Sequence, residues 1–235
     1  MYPNPNRTVS YKDLSYISYA RAWEIQRRHQ EYLIAQKIVQ REQISPHRPT
    51  NYLLMCEHNP VYTLGKNGKM QNLLLPEAEL AEKGIEFYHI ERGGDITYHG
   101  PGQVTGYPII DLENFFTDLH RYLRKIEEAI IQTIGYYGII GDVIPGLTGV
   151  WVDSQGTNPR KIAAIGIKCS RWVTMHGFAL NVNTDLDYFK HIIPCSIDDK
   201  AVTSIEHEVG HPVNFIHTKD ILKDALAQVF AWSYL

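Results

Sequence analysis

The sequence lacks what would carry it into or across a membrane. No apolar run approaches the roughly 20 residues needed to span a bilayer. The best candidate, residues 129–147, is broken by Gln132, Asp142 and Pro145. The first residues, Met1 to Arg7, have no apolar core and do not read as a secretory signal. A basic excess is missing too: the net charge of −3 argues against a general nucleic-acid binder. Cysteine is scarce, and an odd count of three (Cys56, Cys169 and Cys195) excludes complete pairing within the chain. With no export signal, the expectation is reduced thiols in the cytoplasm, used for packing, metal binding or chemistry. There is no internal repeat and no low-complexity tract. Around Gly93-Gly94 neither G-x-x-x-x-G-K-[ST] nor G-x-G-x-x-G occurs, so a nucleotide phosphate loop is not supported there.

What is present is an ordinary globular composition, 44% hydrophobic and 21% charged over 235 residues. That length suits a single domain spanning 1–235, with an extended, polar lead-in over 1–12. Apolar residues recur at helical spacing from Ser18 to about Gln43, and again from Leu119 to about Tyr137. The second helix should bury Leu119, Leu123, Ile126, Ile130 and Ile134. A linker with two prolines covers 44–50, and a third long helix closes the chain from Lys219 to Leu235. Short helices are expected over 76–83 and 186–192. Strands are read at 51–57, 61–64, 85–91, 104–112, 161–168 and 174–182. The stretch 138–149 is expected to hold strand and loop. Strands and helices do not alternate regularly, which predicts an α+β fold with a mainly antiparallel sheet.

The stretch from Arg92 to Gln103 is the focus of the chain. Its glycines and prolines frame a short β-prone run, Asp95-Ile96-Thr97-Tyr98-His99, with Arg92 before it. Such a layout suits a pocket wall made of backbone, or two surface turns around a plain strand. Cys195 follows Pro194 after an apolar run; it is either a nucleophile with a lowered pKa or a buried structural thiol. Lys161 opens an apolar strand and is either a desolvated base or a solvated strand end. His176-Gly177 lies inside a strand, where glycine can mark the close approach of a ligand and the histidine can be a core residue. His207-Glu208-Val209-Gly210-His211 spells the zinc-peptidase pattern H-E-x-x-H, which requires a continuous helix. Gly210 within it and Pro212 after it predict a turn instead.

Four blocks together resemble one family, the lipoyl(octanoyl) transferases, also called lipoate–protein ligase B. They are Glu57-His58-Asn59-Pro60-Val61-Tyr62-Thr63-Leu64-Gly65; Arg92 to Gln103 with Tyr107-Pro108; Lys161 to Gly166 running to His176-Gly177-Phe178-Ala179-Leu180-Asn181; and Ile193-Pro194-Cys195 with Thr203-Ser204. The resemblance covers residues from about 50 to 205. It implies a fold like the biotin and lipoate ligases: a mainly antiparallel mixed sheet flanked by helices. It implies transfer of an octanoyl group from acyl carrier protein to a lysine of lipoyl domains, in 2-oxoacid dehydrogenase complexes and the glycine cleavage H protein. Cys195 is then the acyl-accepting nucleophile and Lys161 the group that lowers its pKa. The substrate pocket would be formed by Arg92, Gly93, Gly94, Asp95, Ile96, Thr97, Tyr98 and His99, with Ala164, Ile165, Gly166, Gly177, Phe178 and Ala179. His99 could orient the carbonyl or shuttle a proton. No cofactor, metal, nucleic acid or membrane is implied.

Three departures from the family pattern stand out. Ser196 takes the place of the usual glycine, the loop over about 142–160 is long, and so is the N-terminal lead-in. Lys66 and Lys69, on the Asn67-Gly68 turn, are candidates for docking an acidic carrier protein. The alternatives are an ATP-dependent ligase on the same fold and a non-catalytic acyl- or lipoyl-domain-binding module.

Overall fold

The computed structural model describes residues 5–42, 49–193 and 201–235. The linker read over 44–50 falls mostly outside them. Two sheets organise the chain. The larger runs in the order β12-β1-β2-β6-β10-β9-β8-β7, with β11 on β9. Its members are β1 (Thr8–Tyr16), β2 (Asn51–Glu57), β6 (Gln103–Ile109), β7 (Gly141–Ile144), β8 (Leu147–Val152), β9 (Arg160–Ser170), β10 (Val173–Asn181), β11 (Ala201–Val202) and β12 (Ser233–Tyr234). From β2 through β6, β10, β9 and β8 to β7 every pairing is antiparallel. The pairings β12/β1, β1/β2 and β11/β9 are parallel. The smaller sheet is β4-β3-β5, from β3 (Val61–Leu64), β4 (Glu86–His89) and β5 (Ile96–His99). The predicted α+β class with a mainly antiparallel mixed sheet is what forms.

Helices cover both faces of the large sheet, and strand alternation shows why. In β2, Leu53 and Met55 join the core beneath α3 (Leu119–Gly135) and α5 (Phe215–Phe230). Leu54 and Cys56 face the other way, toward Ala22 and Leu33 of α1 (Tyr19–Glu42). Successive side chains of a strand point to opposite faces, so an unbroken apolar run requires cover on both. In α3 the Asp118 carboxylate caps the first turn by accepting from the Arg121 N–H at 3.0 Å. The buried stripe includes Tyr122, Ile126, Ala129, Ile130 and Ile134, while the predicted Leu119 and Leu123 are only half-buried.

The chain ends differ from expectation. The lead-in read over 1–12 is not simply extended: from Thr8 it is part of β1, which runs to Tyr16 in parallel register with β2. The last helix begins at Phe215, capped by Asn214, and stops where Ala231 turns left-handed (φ 53). The tail then runs back as β12 beside β1. Two paired residues carry too little pattern to be read from sequence. A short helix, α2 (Glu77–Glu82), starts after Pro76. In the H-E-x-x-H segment, α4 (Ile205–Val209) ends at Gly210 (φ 83) before the second histidine. The continuous helix a zinc peptidase needs is absent there.

Candidate active site

The residues between β4 and β5 cross from the small sheet onto the large one. Gly93 N–H donates to the Ile167 carbonyl of β9 at 2.9 Å, locking the crossing in place. Gly94 takes a positive φ of 88, a conformation that favours glycine. Arg92 is buried beneath the crossing. Its guanidinium donates to the Thr63 carbonyl (2.7 Å) and hydroxyl (3.0 Å), and to the Gly93 carbonyl (3.0 Å). Gly166 on β9 has no room for a side chain: a Cβ would lie 2.9 Å from both Arg92 Cδ and the Gly93 carbonyl oxygen. Gly93 and Gly166 thus belong to one packing unit, in which backbone meets backbone.

A cavity of about 450 Å³ opens beside this unit. Arg92 through Thr97, His99, Lys161, residues 164–166 and residues 177–179 all border it. Tyr98 does not: its ring stacks on Tyr188 (4.6 Å between centroids) and packs with Tyr62 in the small-sheet core. Alternation along β5 sends Ile96 and Tyr98 to one face and Thr97 and His99 to the other, and of these four Tyr98 alone is not on the cavity. The lining mixes apolar side chains (Leu123, Leu147, Ile165, Phe178) with polar ones (Gln103, Thr105, Asn181).

Lys161 is held from two sides. Trp151 is its partner across the β8/β9 pairing, and the ε-nitrogen lies 4.7 Å from the centroid of the indole ring. On the other side, Val202 of β11 pairs with Lys161, and Thr203 N–H donates to its carbonyl at 2.9 Å. Cys195 and the rest of 194–200 lie outside the described residues. The described residues that flank this segment are tied to the site. Ile193 N–H donates to the Asn72 carbonyl (2.8 Å), and the Asn72 amide donates to the Asp95 carboxylate (2.6 Å). Ala201 pairs with Arg160 and borders the cavity.

Three buried histidines gather here. His58 presents Nδ1 to the Ile17 carbonyl (2.7 Å), which can only accept; Nε2 is therefore the acceptor for the Tyr107 hydroxyl (2.7 Å). His99 stacks on Tyr19 (5.8 Å, 11°) and stands edge-on to His58 (6.0 Å). His176 adopts a positive φ of 60, unusual for a residue with a side chain. Its ring is buried, and both ring nitrogens lack a hydrogen-bond partner among the described residues. It is buried and unsatisfied, and it borders the cavity. Burial is the main cause that lowers all three from 6.5, His58 to about 4 and His99 and His176 to about 3. All three imidazoles are neutral at pH 7. Burial likewise pushes the thiols of Cys56 and, less completely buried, Cys169 upward.

Gln103, Asn181, Tyr19 and Trp151 border the same cavity and were not among the residues picked from sequence. Gln103 and Asn181 ended two of the four blocks, so their position was visible and their contact was not.

The fold class follows from solved structures. The chain superposes on a lipoate–protein ligase A bound with ATP (TM-score 0.67, 13% identity, 98% of this chain and 87% of that one). It superposes equally on a bipartite lipoate protein ligase from Thermoplasma acidophilum (TM-score 0.69, 14% identity, 98% and 86%). A biotin protein ligase from Aquifex aeolicus shares the fold more distantly (TM-score 0.52, 11% identity, 94% and 70%). This is the biotin and lipoate ligase fold. Residues 22–227 match the lipoyl protein ligase A/B catalytic domain, and the chain belongs to that family. Its sequence is 53% identical to an octanoyltransferase of Cytophaga hutchinsonii over 98% of this chain and 96% of that protein. It is 50% identical to an octanoyltransferase of Flavobacterium psychrophilum over 96% and 97%. No described helix is long and apolar enough to cross a membrane. Among the described residues no group of three or more His, Cys, Asp or Glu could hold a metal ion.

Proposed function

We propose a two-step route for the octanoyl transfer that this chain carries out in lipoate biosynthesis. In the first step Cys195, as thiolate, attacks the thioester carbonyl of an octanoyl group carried on acyl carrier protein. A new C–S bond forms, the old one breaks, and the carrier leaves as a thiol once protonated. In the second step the ε-amine of a lysine on a lipoyl domain attacks the acyl-enzyme. The amide forms, Cys195 departs as thiolate, and one proton is released. Exchange of one thioester for another needs little driving force, so the first step requires only a thiolate at neutral pH. A free cysteine, with a pKa of ~8.5, is only a few per cent ionised there. Lys161 takes the thiol proton and, as a cation, pairs with the thiolate.

One observation carries this reading. Arg92 to Thr97, His99, Lys161, residues 164–166 and residues 177–179, drawn from three separate blocks, border a single cavity. The segment containing Cys195 begins after Ile193, bonded through Asn72 to Asp95, and ends before Ala201, on that cavity's edge. Lipoyl domains as recipients fit the family and a structural neighbour solved as a lipoate protein ligase with its E2 lipoyl domain. The 2-oxoacid dehydrogenase complexes and the glycine cleavage H protein are the proteins that carry such domains. We place the reaction in the cytoplasm, where reduced thiols persist.

The test is the intact mass of the protein after mixing with octanoyl-acyl carrier protein, without ATP. One octanoyl group mapped to Cys195, discharged by an apo lipoyl domain, is the expected result. Activity that appears only with ATP and free octanoate would replace the route with that of a ligase.

A further inference from the structure

The hydrogen bonds around His99 fix which ring nitrogen carries its proton, and two backbone carbonyls decide it. Asn181 on β10 has its amide nitrogen on the Thr203 carbonyl at 2.9 Å, which can only accept. The Asn181 side-chain oxygen therefore faces its cross-strand partner Gln103, whose amide nitrogen donates to it at 2.9 Å. The same Gln103 nitrogen also donates to the Tyr98 carbonyl at 3.1 Å. Gln103 is thereby oriented twice over, and its oxygen is what faces His99 Nδ1 at 2.8 Å. Nδ1 must carry the hydrogen. Nε2 of the neutral ring is left as a bare lone pair. It has no hydrogen-bond partner among the described residues, and the ring borders the cavity that also holds Lys161.

An Nε2 acceptor cannot donate to a carbonyl oxygen or an oxyanion. Its chemistry is to take an N–H or a proton. Two protons must be removed in the reaction: that of the Cys195 thiol, given to Lys161 above, and that of the lysine amine, the one a substrate brings into the cavity. We propose that Nε2 of His99 is the acceptor for the incoming lysine in the second step, oriented by Gln103 and Asn181. This inference rests on the two-step reading above. The neutral amine donates one N–H to Nε2, which aims its lone pair at the thioester carbon. The C–N bond forms, the C–S bond breaks and sulfur leaves as thiolate. The proton lost by the amine passes to Nε2 and from the imidazolium to the thiolate or to water. Lys161 then serves the first step and His99 the second. The groups facing the ring are Tyr19 from α1, His58 from the β2–β3 turn, Gln103 on β6, Arg92 from the crossing and His176 on β10. None is acidic, so the ring stays neutral and ready to accept until a proton is delivered.

The experiment separates the two steps by rapid quench, measuring acyl-enzyme formation from octanoyl-acyl carrier protein and then its discharge by an apo lipoyl domain. His99→Asn keeps a donor toward Gln103 and removes the basic ring nitrogen, leaving only an amide oxygen that cannot take the proton. It should slow discharge about 100-fold more than it slows acyl-enzyme formation. Gln103→Glu places a carboxylate on Nδ1–H and favours the imidazolium. It should move the acid limb of the discharge rate to higher pH while leaving that of acyl-enzyme formation in place, an effect a merely structural ring would not produce. Wild-type discharge in His99→Asn, equal slowing of both steps, or an unmoved acid limb in Gln103→Glu would each overturn the proposal. If His99→Asn fails to fold, Gln103→Glu decides alone. Absence of any acyl-enzyme in the wild-type protein would overturn the two-step reading itself and this proposal with it.

Discussion

The ε-nitrogen of Lys161 rests 4.7 Å from the centre of the ring of Trp151, its partner across two paired strands. A ring face attracts a cation by about 0.5–2 kcal/mol, and tryptophan does so best. The indole therefore favours Lys161 as the cation that pairs with the thiolate once the proton has been taken. Trp151→Leu is expected to slow acyl-enzyme formation roughly tenfold, since about 1.4 kcal/mol is a factor of ten, and Trp151→Phe less. Stopped-flow or quench measurement of octanoyl loading checks this. Wild-type loading in Trp151→Leu would mean that the ring is packing alone.

Gly106 and Phe178 set a limit on the cavity. A Cβ on Gly106 would sit 2.1 Å from Phe178 Cζ, so Gly106→Ala must push that ring aside. Phe178 borders the cavity, and the displaced ring takes up space there. The variant should lose octanoyl transfer by about tenfold relative to hexanoyl transfer, the scale on which a methylene or two is discriminated. Competition between carrier proteins loaded with six-, eight- and ten-carbon chains reads this out. An unchanged ratio with reduced stability would show that Phe178 moves away from the acyl chain instead.

Much of this site was legible because it is written in local signals. The bounds of β2 and β3 were read to the residue, since each is a short apolar run closed by turn chemistry. The Arg92–His99 stretch announced itself by glycine content, and Lys161 by its place at the head of an apolar strand. What could not be read depends on contacts far apart in the chain. Gln103 meets Asn181 across 78 positions, and Trp151 reaches Lys161 only through strand pairing with a register shift. Tyr98 is the one residue of Arg92–His99 that the cavity leaves out, because its ring stacks on Tyr188 in the small-sheet core.

The three thiols should separate cleanly by reactivity. Cys56 is buried with its thiol near His58 Nε2 at 3.3 Å, and burial holds it protonated. Cys169 is half-buried and also shifted upward by burial. A brief exposure to iodoacetamide at pH 7 should alkylate Cys195 and neither of the others, and octanoyl loading should protect it. Cys56→Ala and Cys169→Ala should keep acyl-enzyme formation. Label on Cys56 in the folded protein would contradict its burial.

Lys66 and Lys69 are exposed beside the crossing, and Lys66 N–H is tied to the Arg92 carbonyl at 3.0 Å. Charge reversal at both should raise the KM for the acidic acyl carrier protein several-fold at low salt. The gap should close at high salt, because exposed charges are screened over about 10 Å at 0.1 M. Steady-state rates at two ionic strengths check this. Equal salt dependence in variant and wild type would remove these lysines from the docking surface.

The buried histidines make the fold sensitive to acid. In the unfolded chain His58, His99 and His176 take up protons as the pH falls below about 6.5. In the folded chain they stay neutral until about 4 for His58 and about 3 for the other two. Between these limits the unfolded state binds more protons, so stability falls as the pH falls and is fully present above about 6.5. Three such groups give a slope of at most about 4 kcal/mol per pH unit near pH 5. Urea midpoints should therefore be flat from pH 8 to 7 and drop steeply from 6 to 4.5. His58→Gln keeps a donor for the Ile17 carbonyl and an acceptor for the Tyr107 hydroxyl. It should remove about a third of that slope, since one of three protons is no longer taken up. A wild-type profile that stays level down to pH 5 would mean that these rings are protonated in the folded protein.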